Sequence, residues 1–186
     1  FIAPPRWMQH EPSTSNPQPT ALRNSSPVDF SDIEAVRDFA ISKDGTRVPI
    51  NILRKKGTPL DGNNPTLLYG YGGYGHCMRP GFNFENRLWF DRGGVHVIAN
   101  LRGGGEYGES WQNVFDDFAA CAKHLIQQGY TRPEKLAVEG GSNGGLLMGA
   151  FLTQNPGLAR AVVAHVGIFD MLRVELDPNG AFNVTE

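Results

Sequence analysis

Apolar positions along the chain follow two spacings, one typical of short buried strands and the other typical of helices. Four apolar runs predict buried strands, at residues 66–69, 95–100, 136–138 and 161–166. Between residues 112 and 128 the apolar positions recur at helical spacing, and Gly129 follows in the position of a C-terminal cap. A second helical pattern begins at Leu146 and stops at Pro156. Short strands that alternate with helices predict a parallel sheet of the α/β class.

The first third of the chain has a different pattern. Residues 1–31 are rich in proline and small polar residues, and this composition predicts a loop or linker. Two alternating segments follow, at 33–41 and 48–53, separated by the turn sequence Lys43-Asp44-Gly45-Thr46. This arrangement predicts an antiparallel hairpin that precedes the parallel sheet.

The most informative stretch is a Gly-x-Ser-x-Gly sequence between a predicted strand and a predicted helix. Gly140, Ser142 and Gly144 form it, and in this context it predicts a nucleophile elbow, a tight turn that exposes the serine hydroxyl. The backbone N–H of Asn143 would then point at a developing oxyanion. An alternative stays open, in which the turn is ordinary and Ser142 only caps the helix.

Two other glycine-rich loops, at 70–75 and 103–108, also follow predicted strands. Because the carboxyl ends of parallel strands meet at one edge of a sheet, we expect both loops to gather around Ser142. Each loop also fits Gly-x-Gly-x-x-Gly. Neither opens directly into a helix or has an acidic residue at the end of the next strand, so a nucleotide-binding module is disfavoured.

Composition narrows the possible partners. The net charge is −2 and the basic residues are dispersed, so neither nucleic acid nor a membrane is expected as a partner. No apolar run approaches the roughly 18 residues that span a bilayer. The two cysteines lack a metal or disulfide spacing, which favours a reducing compartment and hence a cytoplasmic location. The five histidines lack metal-binding spacing and are interpreted as structural, and we expect no metal and no cofactor.

Two charged groups have structural interpretations. Asp116 and Asp117 lie in the first turn of a predicted helix, where the macrodipole favours a carboxylate. Arg102 and Glu106 are interpreted either as an ion pair within the glycine loop or as solvated charges.

A serine nucleophile needs a base and an acid, which follow the elbow in the order Ser, Asp or Glu, His. His165 is the only histidine after Ser142, and residues 143–164 contain no acidic residue. The chain begins at Phe1 and stops abruptly at Glu186. We therefore expect a piece of a longer protein, with the triad Asp and His outside this chain, and we expect the 186 residues alone to be inactive.

Several long motifs occur in one order between residues 36 and 172. They are SKDGTRVPINILRKKG, LLYGYGGYG, NLRGGGEYGESW, QNVFDDFAACAKHLIQQGYT, GGSNGGLLMGAF and VVAHVGIFDML. With these motifs the chain resembles the prolyl oligopeptidases, serine peptidases with a β-propeller beside an α/β-hydrolase domain. The resemblance implies that residues 1–36 are the end of the propeller and a hinge. It implies that residues 37–186 are the N-terminal part of the α/β-hydrolase catalytic domain, with a mostly parallel sheet flanked by helices.

The resemblance also implies roles for individual residues. Ser142 would be the nucleophile, and the Asn143 N–H and the Tyr71 hydroxyl would form the oxyanion hole. Tyr74 and Ile168 would line the substrate pocket. Asn183 stands in the segment where members that cleave after proline carry a tryptophan, so the residue preference stays open.

The expected activity is therefore that of a serine endopeptidase that hydrolyses short peptides through an acyl-enzyme. Its partners within the complete protein would be the rest of the catalytic domain and the β-propeller. Two alternatives remain: an esterase or exopeptidase on the same fold, and a non-catalytic hydrolase-like binding module.

Overall fold

The computed structural model describes residues 1–13, 15–105 and 113–178. The strands are β1 (Arg6–Gln9), β2 (Gln18–Arg23), β3 (Ile33–Ile41), β4 (Arg47–Lys55), β5 (Thr66–Tyr69), β6 (Val95–Ala99), β7 (Leu136–Gly141) and β8 (Ala161–His165). The α-helices are α1 (Asn86–Phe90), α2 (Val114–Gln127) and α3 (Asn143–Gln154), and short 3₁₀ helices lie at Pro133–Lys135 and Val174–Leu176. No helix in the described ranges is long and apolar enough to cross a bilayer.

Six strands form one sheet in the order β3-β4-β6-β5-β7-β8. β3 and β4 form the predicted hairpin, and β4 pairs antiparallel with β6. From β6 onward all neighbouring strands are parallel. The predicted α/β class, with a mostly parallel sheet flanked by helices, is confirmed.

The larger core lies between one face of the sheet and helices α2 and α3. The predicted helical spacing places the apolar side of α2 inward, and Phe118 and Leu125 are fully buried there. Phe118 packs edge to face on Phe151 of α3, with ring centroids 5.4 Å apart. Burying one such side chain stabilises the fold by about 1.5–3 kcal/mol. As predicted, α2 ends before Gly129, which has a left-handed φ of 74°.

The opposite face of the sheet carries a smaller core around α1, which the sequence pattern did not predict. Its buried residues are Phe30, Ile33, Leu53 and Phe90. Helix α1 has only five residues, too few to show a helical period. Arg87 on this helix forms ion pairs with Asp32 and Asp91, so α1 is tied to the segment that leads into β3.

Two expectations about strands were wrong. The composition of residues 1–31 predicts a loop or linker, but β1 and β2 pair as an antiparallel two-stranded ribbon within this segment. Both strands are almost wholly exposed, so no buried face imposes an alternating pattern. The strand β8 was expected to be buried but is largely exposed, because it forms the edge of the described sheet and one of its faces is open.

Candidate active site

Ser142 occupies the single position between β7 and α3. Its backbone has φ 55° and ψ −117°, a conformation that L-residues rarely adopt and that costs about 1–3 kcal/mol. Its N–H donates to the His165 carbonyl at 2.8 Å, and its carbonyl accepts from the Gly145 N–H at 2.8 Å. The side chain is exposed and makes no capping hydrogen bond to the helix. The alternative in which Ser142 serves as a helix cap therefore finds no support.

The glycines on either side of the serine let three backbone segments touch. A Cβ atom at Gly140 would lie 2.4 Å from the Gly144 carbonyl oxygen, and one at Gly144 would lie 2.6 Å from the Gly70 carbonyl oxygen. Both distances are shorter than real side chains tolerate. The elbow, the helix and the loop after β5 are therefore in backbone contact, which only glycine permits at these positions.

The segment 70–76, which we call the tyrosine loop, lies against the elbow. The Asn143 side-chain Nδ2 donates to the backbone carbonyls of Tyr71 at 3.3 Å and Gly72 at 2.8 Å. The Tyr71 ring packs edge to face on His76, with centroids 5.1 Å apart. The Gly75 N–H donates to the Gly103 carbonyl at 3.2 Å. The predicted gathering of the glycine loops at one edge of the sheet is thus seen in the described residues.

A small apolar cavity of about 70 Å³ adjoins the elbow. Tyr74 and Ile168, both named from the sequence, lie in its wall together with Phe115, Leu146 and Met171. Tyr74 has a left-handed φ of 52° and is partly exposed. The structure therefore brings Tyr74 and Ile168 to one cavity beside Asn143, whereas Asn183 lies outside the described residues.

The His165 side chain on β8 contacts a carboxylate on the neighbouring strand β7. Its Nε2 lies 3.0 Å from a carboxylate oxygen of Glu139, and the ring is exposed. This contact agrees with the structural role expected from the sequence. Within the described ranges, no group of three or more His, Cys, Asp and Glu side chains is arranged to hold a metal ion.

A largely buried ion-pair network supports the strand end beside the site. Its members are Ser42, Arg102 and Asp117, which are buried, and the half-exposed Asp44, and we call it the Arg102 network. Arg102 donates to Asp117 through Nε at 2.9 Å and Nη2 at 2.6 Å, and it also pairs with Asp44. Ser42 donates its hydroxyl to Asp117 at 2.6 Å. Hydrogen bonds from Arg102 hold the pKa of Asp44 well below its usual range, and Asp117 raises the pKa of Arg102.

The sequence located Asp117 correctly in the first turn of α2 but missed this network. Its partner Arg102 is 15 residues away and Ser42 is 75 residues away, so no local pattern connects them. Glu106, the partner considered for Arg102, lies outside the described residues.

Two titratable groups on the central strands are shifted by burial. Desolvation lowers the pKa of His96 on β6. Desolvation, together with the nearby Glu139 carboxylate, raises the pKa of Tyr69 on β5. Both groups are therefore neutral near pH 7.

A mostly parallel sheet in which one parallel strand, β7, runs through a strained Gly-x-Ser-x-Gly turn into a helix is the arrangement of the α/β-hydrolase fold. Residues 80–186 match the sequence profile of the prolyl oligopeptidase family. The chain belongs to the prolyl oligopeptidase family.

Individual relatives are similar over most of the chain. The prolyl endopeptidase of Elizabethkingia meningoseptica is 40% identical over 97% of the chain and 27% of that protein. The prolyl endopeptidase of Dictyostelium discoideum is 47% identical over 81% of the chain and 21% of its own length. The chain thus spans about a quarter of the length of these curated relatives.

Solved structures of prolyl endopeptidase and oligopeptidase B are also similar to most of the chain. A prolyl endopeptidase structure superimposes with a TM-score of 0.88 at 45% identity, over 97% of this chain and 28% of that one. Oligopeptidase B from Trypanosoma brucei, solved with covalently bound antipain, superimposes with a TM-score of 0.84 at 37% identity, over 95% of this chain and 26% of that one. Both similarities cover nearly the whole chain, so they support the fold of the described residues.

Proposed function

We propose that the complete protein is a serine endopeptidase of the prolyl oligopeptidase type that hydrolyses short peptides. The observation that carries this proposal is the geometry of Ser142, whose hydroxyl is exposed on a strained left-handed backbone and does not cap α3. A strained backbone at a polar residue that directly follows a strand is typical of a functional position. The names of the relatives, prolyl endopeptidase among them, support the same activity.

In the proposed reaction the Ser142 oxygen attacks the scissile carbonyl carbon while its proton passes to a histidine base. The peptide C–N bond then breaks, the amine leaves with a proton, and water hydrolyses the acyl-enzyme ester. The histidine and its orienting aspartate are proposed to lie outside these 186 residues. No metal or cofactor is part of this proposal.

The oxyanion that forms during attack needs hydrogen-bond donors. We assign this role to the backbone N–H of Asn143, at the first position of α3, and to the hydroxyl of Tyr71. N–H groups in the first turn of a helix have no partner within the helix, so that of Asn143 is free to bind the oxyanion. Each such donor is worth about 10²–10³ in kcat.

Tyr74 and Ile168 are proposed to bind the substrate side chain that precedes the scissile bond, and Asn183 is proposed, from the sequence resemblance alone, as a further substrate-binding residue. The cavity is small and mostly apolar, which favours a compact apolar residue such as proline. Residues 1–36 are proposed to be the propeller end and hinge, and residues 37–186 part of the catalytic domain. A cytoplasmic location is proposed from the two free cysteines, of which Cys121 is fully buried.

The test uses a fluorophosphonate probe and matched peptide and ester substrates on the complete protein. We expect Ser142 to be labelled, Ser142→Ala to abolish both labelling and peptide turnover, and Ser31→Ala, an exposed serine in the N-terminal third of the chain, to leave both unchanged. Labelling that survives Ser142→Ala would refute the assignment of the nucleophile. Turnover of esters without peptides would favour the esterase, and absence of both would favour the binding module.

A further inference from the structure

The side chain of Asn143 links the elbow directly to the tyrosine loop. Its Nδ2 donates one hydrogen bond to the carbonyl of Tyr71 and a second to the carbonyl of Gly72, at 3.3 and 2.8 Å. An amide nitrogen has two hydrogens, so both are used by this loop. The residue that supplies one proposed oxyanion donor through its backbone therefore holds, through its side chain, the residue that supplies the other.

The tyrosine loop is shaped around this amide. A Cβ atom at Gly73 would lie 2.1 Å from the Asn143 Nδ2 and 2.7 Å from its Cγ, so even an alanine would occupy the place of the amide. Gly72 and Gly75 both have left-handed backbones, at φ 59° and 61°. A glycine-rich loop of this kind has many accessible conformations, and hydrogen bonds from a fixed helix end restrict them.

The chemistry of the contact also selects asparagine. Aspartate at this position would direct a carboxylate at two carbonyl oxygens and would offer no donor near pH 7. Alanine would remove both hydrogen bonds while keeping the backbone N–H of the elbow. The two functions of the residue can therefore be separated by substitution.

We propose that the Asn143 side chain is a positioning residue that holds the tyrosine loop so that the Tyr71 hydroxyl and the Asn143 N–H bind the same oxyanion. This inference rests on the proposed function, because it assumes that Tyr71 is a donor in that reaction. Misplacement of a reacting group by about 1 Å costs about 10²-fold in rate. The effect should fall on kcat, since the oxyanion exists only after attack.

The experiment measures kcat and KM of the complete protein for a peptide substrate, per active site titrated with the fluorophosphonate probe. Asn143→Ala and Gly73→Ala break the same contact from opposite sides, and each should lower kcat by about 10²-fold with little change in KM. The control is Gly81→Ala, a glycine with open space around its Cβ position and no left-handed φ, which should behave as wild type.

A second step tests whether the contact acts through Tyr71. In a Tyr71→Phe background, Asn143→Ala and Gly73→Ala should have little further effect on kcat, because the donor they position is already absent. The inference would be overturned if the fold-reductions in kcat from Tyr71→Phe and from the second substitution multiplied in the double variants. An unchanged kcat in both Asn143→Ala and Gly73→Ala would overturn it as well. Counting rates per titrated site removes any loss through misfolding. A wild-type protein that turns over no peptide would instead refute the proposed function.

Discussion

Removing either charge of the Arg102–Asp117 pair should destabilise the protein far more than breaking a surface ion pair. Arg102→Met leaves the fully buried Asp117 carboxylate without its two guanidinium bonds. Among the described residues, the Ser42 hydroxyl and the backbone N–H of Arg102, at 3.2 Å, still donate to it. Asp117→Leu leaves the guanidinium, whose side chain is 10% exposed, with Asp44 as its remaining carboxylate.

The magnitude follows from the difference in burial. An uncompensated buried charge costs about 3–5 kcal/mol. Arg102→Met should lower the free energy of unfolding by about 5 kcal/mol, because Asp117 is fully buried. Asp117→Leu should lower it by about 3 kcal/mol, because the half-exposed Asp44 still neutralises Arg102. The double variant replaces both charges with apolar groups of similar size, so its loss should be well below the sum of the single losses.

Urea titration of the complete protein, followed by tryptophan fluorescence, measures the change in free energy of unfolding. Asp91→Ala is the matched control, since it removes an exposed carboxylate that pairs with Arg87 and Lys55, and its cost should be much smaller than that of either single variant. An Arg102→Met protein that loses no more stability than this control, or single losses that simply add in the double variant, would contradict the prediction.

Three further predictions concern the site and the sheet. Tyr71→Phe should lower kcat by about 10²–10³ with little change in KM, and steady-state kinetics showing an unchanged kcat would reduce Tyr71 to a packing residue. Ile168→Trp should raise KM for peptides by filling the small cavity while sparing fluorophosphonate labelling of Ser142; an unaltered KM would place the substrate side chain elsewhere. Burial holds the pKa of His96 below its ordinary value, so the protein should lose stability as the pH falls below about 6.5, where the unfolded chain takes up the proton first. His96→Gln should flatten this acid dependence of the thermal midpoint, and a variant with the same slope as the wild type would contradict the assignment.

The features that the sequence predicted are those fixed by local pattern. Apolar runs located β5, β6 and β7, helical spacing located α2, and the glycines around Ser142 predicted a turn that the backbone of this residue confirms. Exposed strands gave no such signal, because β1 and β2 bury neither face.

The remaining features depend on contacts between distant residues. The Asn143 side chain donates to the carbonyls of Tyr71 and Gly72, which lie 72 and 71 residues earlier in the chain. The sequence around Asn143 contains no pattern that predicts these partners. The sequence indicates only a helix-end carboxylate at Asp117, because its pairing with Arg102 forms only when the segment after β6 and α2 are brought together. Local sequence thus predicts where the elbow lies, and tertiary contacts decide what supports it.

Under the proposed function, the left-handed φ of Ser142 places activity and stability in opposition at a single residue. Glycine adopts φ 55° and ψ −117° without the strain of about 1–3 kcal/mol that serine bears, while its greater freedom in the unfolded chain costs about 0.5–1 kcal/mol. A Ser142→Gly protein should therefore be inactive yet at least as stable as the active one. Once selection for hydrolysis is relaxed, as in a duplicated copy, drift to glycine at this position would yield a well-folded hydrolase without a nucleophile, so that abundance in the cell would say nothing about catalytic competence.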